Sequence, residues 1–219
     1  MGINDTNLKT LEWLFQHYTI KSVLELGAQN FYQNYQSIMS GVYADQYYKL
    51  KGIDSYTCID LNNENNALDL DLSIPHEIGK FDMVTDFGTS EHIAGYKSDD
   101  ELNIESCSNN TWKHSSNHLS GIEAFYNCWT TKYMNSKLLI VSSNPATGHW
   151  KGHGNFYYTR EFYERLADLT NMRIVMLEEH FAMGNYIDGK EICCVLNVRD
   201  SHWITLDEFK SAFQYIRDV

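Results

Sequence analysis

Acidic residues and glycines lie in or directly after four apolar runs of the sequence, and these residue types can hold a polar ligand. They are, in chain order, Glu25, Gly27, Asp60, Asp71, Asp86 and Gly88. A carboxylate accepts hydrogen bonds from paired hydroxyl groups, and a glycine lets a ligand approach the backbone closely. The pattern therefore predicts a site for a ligand that carries hydroxyl and amino groups.

The spacing of these residues suggests how such a ligand would be held. A carboxylate at the position of Asp60 can take both hydroxyls of a ribose, and Asp71 can reach an adenine amino group. Residues 27–32 contain one glycine, where a dinucleotide fingerprint needs three, so a pyrophosphate site is disfavoured. An ion pair buried within the loop is the alternative interpretation of Glu25.

The elements that position these residues follow from the hydrophobic pattern. Seven apolar runs predict strands at residues 22–26, 56–61, 67–72, 81–87, 137–142, 173–179 and 191–198. Helical spacing predicts helices at residues 5–18, 159–171 and 206–216. The order favours one α/β domain over residues 1–219, a doubly wound and mostly parallel sheet of seven strands with a C-terminal antiparallel hairpin. In such a sheet, ligands bind at the carboxyl ends of the strands, where the acids lie.

One segment departs from this alternation. Residues 95–120 are polar and rich in Asn, Ser and His, with little periodicity. Long insertions in compact domains are often lids over a site, and a solvated loop is an equally good interpretation.

Composition narrows the class of protein. The chain of 219 residues has 17 Lys and Arg against 29 Asp and Glu, a net charge of −12, which repels nucleic acids and anionic lipid. We therefore expect no general nucleic-acid binding. No apolar window approaches the length of a membrane span, and no signal peptide is recognisable. Five cysteines without a CxxC motif predict reduced thiols and a cytoplasmic location.

Four blocks of the sequence together resemble the class I S-adenosylmethionine-dependent methyltransferases. Residues 23–27 resemble the family's first motif, residues 59–61 its ribose acid, residues 71–75 its adenine-side loop, and residues 81–92 its fourth motif. The resemblance implies a Rossmann-like methyltransferase with S-adenosylmethionine as cofactor and a small molecule as methyl acceptor. The cofactor-binding residues that it implies are Glu25, Gly27, Ala28, Gln29, Asp60, Leu61, Asp71, Leu72, Asp86, Phe87 and Gly88.

The sequence departs from the family pattern at two places. Gln29 stands where the family has a second glycine, and Asn135-Ser136 replaces a Gly-Gly pair before the fifth predicted strand. Because this cofactor has no phosphate, the loop need only admit an amino-acid head group, whose carboxylate a Gln amide can bind. The alternative is a non-catalytic Rossmann-like protein that binds a cofactor or serves as a scaffold.

Three residues are candidates for the chemistry of methyl transfer. His153 lies in a glycine-flanked loop after the fifth predicted strand, and histidine exchanges protons near neutral pH. Glu91 and His92 belong to the fourth motif, and capping or packing is the competing interpretation of both. We predict no metal site, because the pairs His114/His118 and His149/His153 need a helix to share one face. We expect residues 93–120 and 145–158 to shape the acceptor site.

Overall fold

Six strands form one mixed sheet in the computed structural model, which describes residues 2–31, 42–61, 64–93, 121–146, 154, 156–181 and 189–213. The strands are Ser22–Leu26 (β1), Ser55–Ile59 (β2), Phe81–Phe87 (β3), Ser136–Pro145 (β4), Arg173–Phe181 (β5) and Lys190–Asn197 (β6). Their order is β2-β1-β3-β4-β6-β5. The first four strands pair in parallel, and β6 pairs antiparallel with both β4 and β5. The carboxyl ends of β1 to β4 therefore lie along one edge.

Within these described ranges, five helices accompany the sheet: Asp5–His17 (α1), Ala44–Leu50 (α2), Gly121–Asn135 (α3), Arg160–Thr170 (α4) and Leu206–Phe213 (α5). Short 3-10 helices occupy Glu64–Asn66 and Ser90–His92. The Asn4 side chain caps α1 by accepting the Thr6 and Asn7 N–H groups, as its residue type favours. Thr159 caps α4 in the same way.

The helices cover both faces of the sheet, as alternation along β4 shows. Leu139 and Val141 pack in a cluster with α1 and α2. Ile140, between them, packs in a second cluster with the aromatic residues of α3, α4 and α5. Successive side chains of a strand point to opposite faces, so these two clusters lie on opposite sides of the sheet. The predicted doubly wound α/β arrangement is confirmed at this level.

The predicted count of seven strands is not confirmed. Residues 67–72 make only a single parallel bridge, between Leu68 and Ile59 at the outer edge of β2. Leu68 is 42% exposed, and the Asp71 carboxylate accepts the Ser73 N–H and closes a turn. Aspartate disfavours extended pairing because its side chain competes for backbone hydrogen bonds. The segment therefore follows β2 for one residue pair and then turns away.

Other predicted elements compare with the structure as follows. The strands of the predicted hairpin, β5 and β6, are antiparallel neighbours, and residues 182–188 between them lie outside the described residues. So does the whole predicted lid at 95–120, and the last helix is described as far as Phe213. The sequence analysis did not anticipate α3.

The structure also bears on membrane association and on the thiols. In the described part of the chain, no helix is long and apolar enough to cross a membrane. Cys58, Cys128, Cys193 and Cys194 are buried and not in disulfides, and Cys107 lies outside the described ranges. Reduced thiols are what the sequence predicted, and the cytoplasmic location stays a prediction.

Candidate functional site

The turn after β1 is the centre of the site, and it depends on Gly27. This residue has φ +79, and its N–H donates to the Ile59 carbonyl at 2.7 Å. A Cβ atom at this position would lie 2.1 Å from Thr89 Oγ1. Glycine therefore meets two requirements here, because the left-handed backbone and the close approach of Thr89 both exclude a side chain. The turn is held between the ends of β2 and β3.

Glu25 lies on β1, two residues before Gly27, and its side chain is fully buried. Its Oε2 atom accepts hydrogen bonds from Tyr56 OH at 2.7 Å and from the Gln29 N–H at 3.2 Å. Its Oε1 atom has no hydrogen-bond partner among the described residues, and neither has Oδ1 of nearby Asp45. Burial, with a further contribution from the Asp45 charge, raises the pKa of Glu25 to about 8. A cationic donor that reaches Oε1 would complete the hydrogen bonds of Glu25.

Asp60 directly follows β2, which pairs with β1, at the same edge of the sheet. Its Oδ2 atom accepts the Ala28 N–H at 2.8 Å, so the carboxylate is fixed to the turn after β1. Asp60 and Leu61 are half-buried. Leu72 is buried in a cluster with residues of β1 and β3, so it packs the segment after β2 against the sheet. Asp71 is half-buried and holds the adjoining turn through Ser73. The structure thus brings Glu25, Gly27 and Asp60 together.

The Gln29 side chain lies across the turn and is buried. Its Nε2 atom donates to Thr89 Oγ1 at 2.9 Å and to the Leu26 carbonyl at 3.4 Å. Thr89 Oγ1 in turn donates to the Leu26 carbonyl at 2.8 Å. Gln29 therefore ties the turn after β1 to the residues after β3. Its predicted contact with a cofactor carboxylate stays a prediction.

Asp86, near the end of β3, lies in a buried polar network. Lys132 Nζ contacts its Oδ2 at 2.5 Å, Asn144 Nδ2 donates to the same atom at 3.1 Å, and the Ser90 hydroxyl also donates to it. Burial raises the pKa of Asp86, but the Lys132 charge and these hydrogen bonds outweigh burial and lower it. Asp86 is thus an ionised carboxylate beneath the edge of the sheet. Phe87 beside it packs against the α1 cluster, and Gly88 turns with φ +79.

The candidates for chemistry follow this network. Glu91 is fully buried in the short helix Ser90–His92, and its Oε1 lies 3.4 Å from His92 Nε2. The Glu91 carbonyl accepts the Phe156 N–H at 3.1 Å, and a Cβ on Gly154 would lie 2.9 Å from that carbonyl. The structure therefore brings Glu91 against the segment that follows β4, with His92 beside Glu91. His153 lies outside the described residues, and so do His114, His118 and His149, which the sequence analysis weighed as metal ligands before predicting no metal site.

No group of metal-ligating side chains occurs in the part of the chain that the structure describes. That search does not reach the histidine pairs named above, so the prediction of no metal site stays a prediction.

The sequence analysis missed Lys132, Tyr56, Asp45 and Thr89. Lys132 had a detectable signal, because it continues the apolar stripe of Phe125, Cys128 and Trp129 at helical spacing. Its ammonium lies 3.9 Å from the centre of the Trp129 ring. Asp45 and Thr89 had no such signal. Their approach to Glu25 and Gly27 depends on how α2 and the residues after β3 pack against β1 and its turn.

The second departure from the family pattern, at Asn135, has a structural role. Its Oδ1 accepts the Ile78 and Gly79 N–H groups at 2.9 and 3.2 Å, and its Nδ2 donates to the His76 carbonyl at 2.7 Å. One buried amide thus fastens the loop before β3 to the end of α3. The substitution of this position is compatible with an intact sheet.

Solved structures share this architecture at low sequence identity. The N-methyltransferase NodS from Bradyrhizobium japonicum WM9, solved with S-adenosylhomocysteine, matches with a TM-score of 0.52 and 9% identity, over 89% of this chain and 88% of that one. The 1,6-didemethyltoxoflavin-N1-methyltransferase from Burkholderia thailandensis, with 1,6-didemethyltoxoflavin and S-adenosylhomocysteine bound, matches with a TM-score of 0.50 and 10% identity, over 85% and 75%. No protein-family model and no curated protein sequence matches the chain. At this identity the likeness shows a common fold.

Proposed function

We propose that this chain, which has the class I methyltransferase fold, transfers a methyl group from S-adenosylmethionine to a small-molecule acceptor. The observation that carries the proposal is the free Oε1 of Glu25, buried beside the glycine turn at the carboxyl end of β1. A buried carboxylate oxygen without a partner is costly unless a ligand completes it. The structural alternative for Glu25, an ion pair within the loop, has no cation in the described residues near it to support it.

The residues of the turn fit the polar ends of that cofactor. Glu25, with Asp45 nearby, would receive the ammonium of its amino-acid end, a cation at neutral pH. Asp60, fixed by the Ala28 N–H, would accept the two ribose hydroxyls. Leu61, Asp71 and Leu72 would border the adenine group of the cofactor. The Asp86 oxygens already accept hydrogen bonds from the protein, so Asp86, Phe87 and Gly88 would support the cofactor from the end of β3.

When bound, S-adenosylmethionine supplies a methyl group on a positively charged sulfur. Much of the acceleration of such a transfer comes from holding the acceptor in line with that methyl group. A base is needed only when the acceptor must lose a proton, and we propose Glu91, His92 and His153 for that role. Glu91 and His92 directly follow β3, at the carboxyl edge of the sheet, and His153 is proposed from its place in the sequence alone.

Calorimetric titration with S-adenosylhomocysteine tests the proposal without knowledge of the acceptor. We expect a dissociation constant on the order of micromolar for the wild type. Asp60→Ala should weaken binding about tenfold to a hundredfold, since it removes the acceptor of two hydroxyl groups. Asp69 is an exposed carboxylate of the same region, so Asp69→Ala is the matched control and should bind like the wild type. Absence of binding to folded wild-type protein would refute the proposal and favour the non-catalytic scaffold.

A further inference from the structure

A second polar cluster lies at the same edge of the sheet, formed by Asn4, Ser143, His180 and Glu191. Ser143 is near the carboxyl end of β4, and His180 is the residue before the end of β5. Glu191 is opposite His180 in the register of β5 and β6. Because β6 runs antiparallel to β4, its first residues reach the edge at which β4 ends. None of the four residues was a candidate from the sequence.

Three side chains converge on one oxygen of Glu191. Its Oε2 atom lies 2.8 Å from Asn4 Nδ2, 3.2 Å from His180 Nε2 and 3.4 Å from Ser143 Oγ. The side chains of His180 and Glu191 are only 12% and 9% exposed. The cluster is therefore a built, largely desolvated arrangement that fixes the position of the imidazole ring.

In the neutral form of His180, this arrangement determines which ring nitrogen carries the hydrogen. Because Oε2 accepts from Asn4 and Ser143, it is also the acceptor toward His180, and Nε2 carries the hydrogen. In a neutral imidazole, the other nitrogen is then a bare acceptor. That atom, Nδ1, is buried and has no hydrogen-bond partner in the ranges that the structure describes. A ligand that donates a hydrogen bond would complete it.

The cluster is connected to the site of the proposed cofactor through the residues that precede α1. The Ile3 N–H donates to the Asn30 carbonyl at 2.9 Å, so residues 3 and 4 connect the turn after β1 with Glu191. In the sheet, β5 lies four positions from β1, about 19 Å away, and two positions from β4, about 10 Å away. The second of these distances is within the length of a small organic molecule whose other end lies at β4.

Resting on the function proposed above, we propose that His180 Nδ1 accepts a hydrogen bond from a hydroxyl or amine group of the methyl acceptor. Glu191 is a positioning residue, because it acts by orienting the imidazole ring. The acceptor is then a small molecule with at least one such donor, and a methyl ether or dimethylamino group in its place would be disfavoured at this position.

Matched pairs of small probes test the inference. We would titrate the S-adenosylhomocysteine complex with phenol and its methyl ether anisole, and with aniline and N,N-dimethylaniline, while recording the histidine ring resonances by NMR. Phenol or aniline should bind about threefold to tenfold more tightly than its methylated partner and shift the His180 signals, as expected for one hydrogen bond. His180→Phe should abolish this preference, and His202→Phe, at an exposed position, should retain it.

Every other result overturns the inference. Equal affinity within each pair, binding without a shift of the His180 signals, or no binding of any probe would each contradict it. The wild-type measurement needs no substitution, so a variant that fails to fold does not affect it. Glu191→Gln adds a second readout, because the nitrogen chemical shifts of the His180 ring should report a loss of the fixed tautomer. Binding of S-adenosylhomocysteine in the same sample distinguishes failure of this inference from failure of the proposed function.

Discussion

Replacing Glu25 with glutamine should change how the stability of the protein depends on pH. Burial raises the pKa of this carboxyl group from 4.5 to about 8. Between these two values the folded protein keeps a proton at Glu25 that the unfolded chain has lost. The free energy of unfolding therefore falls as the pH rises through this window, by up to about 1.4 kcal/mol per pH unit. Over the whole window the loss amounts to about 5 kcal/mol.

Glutamine keeps the shape of the neutral carboxyl group and cannot ionise. The Tyr56 hydroxyl and the Gln29 N–H can still donate to its oxygen. Urea denaturation of the wild type and of Glu25→Gln, from about pH 5 to about pH 8.5, gives the difference in free energy of unfolding. Titrations common to both proteins cancel in this difference. We expect Glu25→Gln to gain stability relative to the wild type as the pH rises, and the difference to level off above about pH 8.

A matched substitution separates this effect from simple loss of a carboxyl group. Glu164 is an exposed residue of α4 whose carboxylate lies 3.8 Å from Arg160. The difference between wild type and Glu164→Gln should not follow the same slope. If the wild-type and Glu25→Gln curves run parallel across the window, the carboxyl group does not take up a proton on folding, and the reasoning about its free oxygen is wrong.

Three further predictions concern the same region. Binding of S-adenosylhomocysteine near pH 6.5 should release about one proton, because its ammonium favours ionised Glu25; calorimetry in buffers of different ionisation enthalpy measures the release, which Glu25→Gln should abolish. Gly27→Ala should cost about 2 kcal/mol more than Gly52→Ala, because both glycines have positive φ but only Gly27 faces Thr89; urea denaturation compares them. Lys132→Met should lower the free energy of unfolding by about 3 to 5 kcal/mol, since it leaves Asp86 charged and buried, and Asp86→Asn added to it should recover part of the loss.

Each of these has an opposing outcome. Proton release that persists in Glu25→Gln would assign the titration to another group. Equal costs for the two glycine substitutions would mean that Thr89 can move away without penalty. A Lys132→Met protein as stable as the wild type would show that the charge of Lys132 does not compensate that of Asp86.

Periodicity and strand ends were sufficient to predict most of the sheet. The runs that became β1, β2 and β3 are short, apolar and followed by an acid or a glycine, and this pattern depends only on neighbouring residues. Residues 67–72 also form an apolar run that ends at an acid. Whether they pair as a strand depends on the turn that Asp71 makes with Ser73. Local pattern cannot distinguish an edge strand from a segment that pairs once and leaves.

The candidate site divides along the same line. Glu25, Gly27 and Asp60 were predictable because each occupies the end of a predicted strand, where parallel strands present their residues together. His180 and Glu191 were not, since their contact depends on the register in which β5 pairs with β6 and on the cap residue of α1. Lys132 lies between these cases, for its helical spacing places it on a buried face although its charge predicts exposure.

The four buried thiols can report local opening of the structure around them. Burial raises the pKa of Cys128 and of Cys193 to about 12, and it raises the pKa values of Cys58 and Cys194 as well. Alkylating reagents attack the thiolate, so these positions should react only when the surrounding structure opens. They lie on β2, α3 and β6. Mass spectrometry of the alkylated chain would therefore follow the opening of β2, of α3 and of β6 separately.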